Sequence, residues 1–445
     1  MKIVIAGAGE VGRHLAKMLE EEHHDIVVID EDPKNLEQIE NFTDIYTIVG
    51  SPVDIASLHQ ANVDECDLFI SVCPEESMNI LAATLAKNLG AAKCISRIDN
   101  DDYLQPNNKE IFINMGIDYL FYPEKIAAAE VMTLLGNTSS SEYVNFSGGK
   151  LTLVVIKLTT NSPIKNLSIL DIFEASDAAH RVVAISREGT TIIPDSTFRL
   201  KENDMVYIIC DNKHMREVMN MSGALNIKVK NVMIFGGSRI GMKVAAGLQN
   251  QMNVKLIEYN KEKAQALAAK LENTLVIYQD GRNADVLQNE GLSEMDAFVA
   301  VTGRSETNIL AAMLAKKMGV KKVIAEIENL NYIGLAESMG VDTIVNKKLI
   351  TASNIFRFTM NTDVQAIKCL NGCDAEVLEF IAKPDSLITK KSIRDVGLPK
   401  GVIVGGMVKG EKVVIASSGA QVKAFDRVVV FALPEAISKI AKYFD

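Results

Sequence analysis

Nowhere does this 445-residue chain hold the roughly 18 consecutive apolar residues that a membrane-spanning helix needs. Its best apolar runs, LTLVVIKL and VVVFAL, have strand length. The apolar run at the N-terminus is five residues long and leads into a glycine turn, unlike a secretory signal, so a cytoplasmic location is expected. Tryptophan is missing and aromatics make up only 6%. Positive charge is in deficit: the net charge of −10 leaves no broad basic face for nucleic acid. The six cysteines (Cys66, Cys73, Cys94, Cys210, Cys369, Cys373) are scattered, mostly in apolar runs, and read as buried free thiols. Cys369 and Cys373 have no nearby His, and the six His lack ligand spacing, so no metal site is expected. His180 and His214 fall near strand edges and read as surface residues. There is no P-loop Lys, no nucleophile elbow and no His in a catalytic setting.

What is present is repetition. NILAATLAKNLGAAKCISRIDNDDY, from Asn79, aligns with NILAAMLAKKMGVKKVIAEIENLNY, from Asn308, with 14 of 25 positions identical. Gly7 stands the same 229 residues before Gly236, which opens a second strand-and-glycine element, VMIFGGSRIG. The chain therefore reads as a tandem duplication.

Each half divides again. Residues 1–135 alternate strand and helix, the pattern of a parallel sheet covered by helices on both faces. TSSSEYVNFSGG reads as a polar linker. Short strands then fill a small α+β unit over 142–225. The order recurs as a parallel α/β unit over 228–358 and a small unit over 364–445. The expected fold class is thus α/β, with two Rossmann-like parallel-sheet domains, each followed by a small α+β lobe.

In GAGEVG, Gly7 permits the turn after the strand, Gly9 lets the backbone approach a pyrophosphate, and Gly12 lets the helix pack on the strand. Phosphates would sit on the helix N-terminus. Asp30 ends the next strand 18 residues after Gly12, where it would accept hydrogen bonds from ribose hydroxyls. With Glu31 and Asp32 beside it, a 2′-phosphate is repelled, which favours NAD, ADP or ATP over NADP. The second loop, Gly236-Gly237-Ser238-Arg239-Ile240-Gly241, has Ser238 at the middle-glycine position, and Glu258 takes the ribose position. Arg239 either reaches phosphate oxygens or is a solvated residue at the helix start. Val72-Cys73-Pro74 and Val301-Thr302-Gly303 follow equivalent strands and face the same crevice in their sheets, as do Gly50-Ser51-Pro52 and Gln279-Asp280-Gly281. Arg97 is the best candidate for a side-chain phosphate contact, and its counterpart Glu326 has the opposite charge.

GAGEVG with Asp30, the NILAATLAK helix and the large-small-large-small order together resemble the Trk-type potassium uptake regulatory subunits, which are built of tandem RCK domains. The resemblance covers essentially the whole chain. It implies a non-catalytic, cytoplasmic protein that binds NAD(H) and ATP/ADP. It also implies peripheral attachment to the inner face of the cell membrane through a potassium-translocating partner, and a homotetramer forming a ring of eight RCK domains. Carried over, the first site comprises Gly7, Ala8, Gly9, Glu10, Val11, Asp30, Cys73, Pro74 and Arg97. The second comprises Gly236, Gly237, Ser238, Arg239, Ile240, Glu258, Thr302, Gly303 and Glu326. The rival reading is an NAD-dependent oxidoreductase whose substrate site is not recognised.

Overall fold

The computed structural model describes residues 1–21, 23–39, 45–136, 142–175, 180–188, 190–223, 228–356, 358–359, 364–369, 373, 375–417 and 419–444. The chain forms two compact units, Met1–Ile126 with Lys347–Thr359, and Ala127–Asn346 with Met360–Asp445.

In the first unit, β1 (Lys2–Ala6), β2 (Asp25–Asp30), β3 (Ile45–Val49), β4 (Leu68–Ser71), β5 (Lys93–Arg97) and β6 (Tyr119–Phe121) build one sheet. All its neighbours pair in parallel, in the order β3-β2-β1-β4-β5-β6 of a doubly wound sheet. The crossovers are α1 (Glu10–Glu21), α2 (Pro33–Glu37), α3 (Ile55–Gln60), α4 (Glu76–Leu89) and α5 (Pro106–Asn114), and α6 (Pro123–Gly136) follows β6. β1 is a continuous apolar run because both faces of the sheet are covered. α1 instead shows helical spacing and buries Leu15, Ala16 and Leu19. α2 starts on an Asp32 cap with Pro at its first position, and α4 stops at Gly90, whose φ of 127° suits only glycine.

The second unit begins with a small antiparallel sheet. Its strands are β7 (Glu142–Phe146), β8 (Leu151–Lys157), β9 (His180–Arg187), β10 (Thr190–Ile192) and β11 (Met205–Asp211), with helices α7 (Ile169–Ala175) and α8 (Met215–Asn220). The stretch read as a linker thus contains a strand: β7 pairs with β8, and Phe146 and Val144 turn onto the core. Residues 138–141 of that stretch lie outside the described residues. Next comes a second parallel sheet of order β14-β13-β12-β15-β16-β17, from β12 (Asn231–Phe235), β13 (Asn253–Glu258), β14 (Thr274–Tyr278), β15 (Ala297–Ala300), β16 (Lys322–Glu326) and β17 (Thr343–Val345). It carries α9 (Arg239–Leu248), α10 (Lys261–Lys270), α11 (Ala284–Asn289), α12 (Ser305–Lys317) and α13 (Ile333–Ser338). The following helix, α14 (Lys347–Phe356), packs on α1 of the first unit.

The chain closes with β18 (Val364–Cys369), β19 (Glu376–Ile381), α15 (Leu387–Lys390), β20 (Val402–Lys409), β21 (Lys412–Ile415), β22 (Arg427–Ala432) and α16 (Pro434–Ala441). Their sheet has the same topology as the first small one. The two small sheets share one core, in which Leu153, Tyr207 and Ile209 meet Val377, Val429 and Phe431. The opposite face of the first small sheet packs Val154, Ile156 and Ile208 against Ile172 and Val218 of its own helices. Burial on both faces explains why LTLVVIK shows no polar alternation.

Candidate functional site

Gly7 leaves β1 at φ +104°, and a Cβ there would stand 2.9 Å from the Cys73 amide nitrogen. A Cβ on Gly12 would stand 1.8 Å from the Gly7 carbonyl oxygen, so only glycine lets α1 lie against the loop. Both glycines are demanded by the protein itself. Gly9 is not: among the described residues other than its two chain neighbours, no atom lies within 4 Å of where its Cβ would be. The loop hangs on Asp30, whose carboxylate accepts from the Ala8 amide at 2.6 Å, the Asp32 amide at 2.8 Å and the Asn35 side chain at 3.2 Å. A carboxylate offers about four lone-pair positions, which leaves room for one further donor.

Facing the loop are the ends of β4 and β5. Asn79 of α4, 1% exposed, joins them: its Oδ1 accepts from the Cys73 amide at 2.7 Å, and its Nδ2 donates to the carbonyls of Cys73 (2.9 Å) and Arg97 (3.2 Å). Pro74 is exposed at the rim. Burial pushes the Cys73 thiol up to about 12, so it is an inert neighbour, and Cys66, Cys94 and Cys210 are buried free thiols in the same state. Cys373 is half-buried, and the Cys369 side chain lies outside the described residues. The Arg97 guanidinium donates to Glu124 Oε1 at 2.9 Å, so a buried carboxylate already engages it. Glu10, at the start of α1, meets Arg13 at 2.8 Å and Lys348 of α14 at 2.5 Å. The Lys348 ammonium holds the Glu10 carboxyl below its usual range. His14, one turn further, is lowered to about 4 by burial, with Lys348 adding to the effect.

The second loop keeps the frame and changes the contents. Gly236 has φ +110°, and a Cβ there would meet the Thr302 amide at 2.9 Å. A Cβ on Gly241 would stand 2.1 Å from the Gly236 carbonyl oxygen. At Gly237, where the first loop has Ala8, a Cβ would come within 2.4 Å of Leu267 Cδ1, because α10 is ten residues long against five for α2 and lays Leu267 on the loop. Ser238 Oγ accepts from the Gly241 amide at 3.2 Å and caps α9 from within the chain. Glu258 is 3% exposed and accepts from the Gly237 and Asn260 amides at 3.0 and 2.8 Å, with Lys263 Nζ at 3.5 Å. Asn308 repeats the role of Asn79, linking the Thr302 amide (2.9 Å) to the carbonyls of Thr302 (3.0 Å) and Glu326 (2.8 Å). Ile240 and Glu326 are buried, whereas Gly303 is exposed. Exposed Arg239 lines a cavity of about 350 Å³ beside the loop, together with Ser238, Lys263 and Lys270.

Asn79, Asn308, Glu124 and Lys348 are the site residues that motif reasoning passed over. The two Asn had a signal, since each heads its copy of the repeated NILAA segment. Lys348 had none, because its partner Glu10 lies at the other end of the chain. His214 is partly exposed and pairs with Asp211 at 2.6 Å, but His180 is 1% exposed, which corrects its reading as a surface residue. It starts β9 beneath the cover of α7 and the second small lobe. Among the described residues no His/Cys/Asp/Glu group could hold a metal ion, and no helix is long and apolar enough to cross a membrane.

The TrkA-N domain profile matches residues 3–123 and 232–347, and the TrkA-C domain profile matches 153–223 and 377–445. The chain is 31% identical over 439 residues to the Trk system potassium uptake protein TrkA of Vibrio alginolyticus, covering 97% of this chain and 95% of that protein. It is 31% identical to Trk system potassium uptake protein TrkA homolog 2 of Methanosarcina mazei, covering all of both chains. Among solved structures, the GsuK channel bound to NAD superimposes with a TM-score of 0.62 at 15% identity, over 99% of this chain and 78% of that one, a likeness of fold. The two copies of each profile coincide with the duplicated large and small lobes, and the chain belongs to the TrkA family.

Proposed function

We propose that this protein is the nucleotide-sensing regulatory subunit of a Trk-type potassium uptake system, without catalytic activity of its own. The observation that carries the reading is the open space at Gly9, between a loop pinned by Asp30 and the start of α1. Packing explains Gly7 and Gly12, and a pyrophosphate on the helix N-terminus explains Gly9. The proposed first site comprises Gly7 to Gly12, Asp30, Cys73, Pro74 and Arg97, which takes NAD(H) or ATP/ADP. The proposed second site comprises Gly236 to Ile240, Glu258, Thr302, Gly303 and Glu326. The NAD in the GsuK channel structure supports a nucleotide of this class. The four lobes are assigned to 1–135, 142–225, 228–358 and 364–445.

In this reading the chain lies on the cytoplasmic face, held there by a potassium-translocating membrane partner, and four copies form a ring of eight domains. Gating is a population shift: a nucleotide moves the ring only by its differential affinity for two states, so ATP and ADP must prefer different states to act as opposing signals. The test is co-purification and flux with membranes carrying a Trk-type pore, repeated with NADH, ATP and ADP. Nucleotide-dependent differences are expected. Identical responses to all three, or steady NADH turnover with a substrate, would overturn the proposal.

A further inference from the structure

α14 begins in a way that its own helix does not favour. The free N–H groups of a first turn carry partial positive charge and attract anions. α6 follows that rule with Glu124 in its first turn, whereas α14 opens on Lys347 and Lys348 with no acid. Glu124 and Lys348 are matching positions, each the third residue after the last strand of its parallel sheet, β6 or β17. The Lys348 side chain is also largely covered, at 13% exposed. A covered cation at a helix start costs stability unless a partner outside the helix meets it.

That partner is Glu10, whose Oε2 lies 2.5 Å from the Lys348 ammonium. Glu10 is the first residue of α1, on the turn where a nucleotide's phosphates would rest. Its other oxygen, Oε1, is held by Arg13 at 2.8 Å, so the carboxylate keeps a partner when Lys348 leaves it. Arg13 is tied to the loop itself, donating to the Ala8 carbonyl at 3.2 Å. Lysine carries a compact charge on a flexible stem and re-aims at little cost. The duplicate reverses both signs: Arg239 stands at the position of Glu10, and Glu124 at that of Lys348. Each glycine loop therefore has a cation at its helix start, Arg239 from α9 itself in the second and Lys348 brought by α14 in the first.

We propose that Lys348 is a phosphate-binding residue of the first glycine-loop site, and that Glu10 holds its place while the site is empty. A terminal phosphate on the start of α1 takes the ammonium from the Glu10 carboxylate. The inference rests on the nucleotide reading above and refines its specificity. A terminal phosphate carries about two negative charges, whereas each phosphate inside a dinucleotide carries one, so Lys348 favours ATP and ADP over NADH. Because α14 follows the second parallel sheet in the chain, the exchange links the phosphate on the first loop to the second half of the sequence.

The test is calorimetric titration of the full chain with ATP, ADP and NADH, the first-site isotherm being the one that Asp30→Ala weakens. Lys348→Met should weaken ATP and ADP binding there by about tenfold and NADH binding by no more than about threefold, with Lys348→Arg restoring most of the loss. Glu10→Gln, at an exposed position, should act in the opposite sense. It should tighten ATP binding by about fivefold, because the competing carboxylate charge is gone. A purely structural ion pair would move both variants the same way. Weaker ATP binding in Glu10→Gln, unchanged ATP binding in Lys348→Met, or equal losses for ATP and NADH would overturn the role of Lys348 and leave the nucleotide site standing. No binding of any of the three nucleotides by the unaltered chain would overturn the site itself.

Discussion

GAGEVG and GGSRIG occupy the same place in two sheets of identical strand order, yet they differ in what fills the loop. In the first, a Cβ at Gly9 would meet open space. In the second, Ser238 caps α9, Leu267 lies on Gly237, and Glu258 is buried beside Lys263. Where backbone clashes dictate glycine, at Gly7/Gly236 and Gly12/Gly241, the copies agree. Where only a ligand would demand it, at Gly9, the copies have diverged. A duplicated fold thus separates residues kept for packing from those free to change with the ligand.

The most severe way to break the comparison is at the shared frame. Gly12→Ala and Gly241→Ala should each destabilise their own unit by on the order of 3 kcal/mol, because the new Cβ meets backbone carbonyl that cannot move aside. Thermal unfolding would check this, and an unchanged melting profile for either would contradict the shared constraint. Asp30→Ala should come next, weakening NADH binding at the first site by about 10- to 100-fold, since it removes a charged acceptor and frees the Ala8 amide. Calorimetric titration measures it.

Ser238→Gly sharpens the contrast at a cost of a few tenths of a kcal/mol for the lost cap. It should tighten nucleotide binding at the second site, as seen in a titration on an Asp30→Ala background. A further prediction concerns His14. Its pKa is lowered to about 4 from an unfolded value near 6.5, so between those pH values the unfolded chain holds a proton that the native chain does not. Stability contributed by neutral His14 is therefore complete above pH 6.5 and is lost as pH falls towards 4. His14→Gln should flatten that part of a plot of urea midpoint against pH.

Much of the fold was legible because it rests on local pattern. β1, β2 and β4 carry the apolar runs IVIA, IVVI and LFI, α1 has helical spacing, and glycines punctuate the turns. β7 escaped notice, hidden in a Ser- and Gly-rich stretch, because a short edge strand declares itself only through its partner β8. In the site, Gly7, Gly9, Gly12 and Asp30 were readable from spacing alone. The pairing of Arg97 with Glu124 was not, since it joins β5 to α6 through the sheet's far end.

By itself the sequence determined the duplication, the two nucleotide-type loops and the family, since each is carried by residues near one another along the chain or repeated at a fixed offset. Only the tertiary structure decided that Lys348 of the second half stands on Glu10 of the first loop, and that His180 and Arg181 line a cavity closed by the other small lobe. Those facts depend on which surfaces meet after folding. Ion pairs and cavities between segments hundreds of residues apart leave no periodicity and no spacing in the chain that forms them.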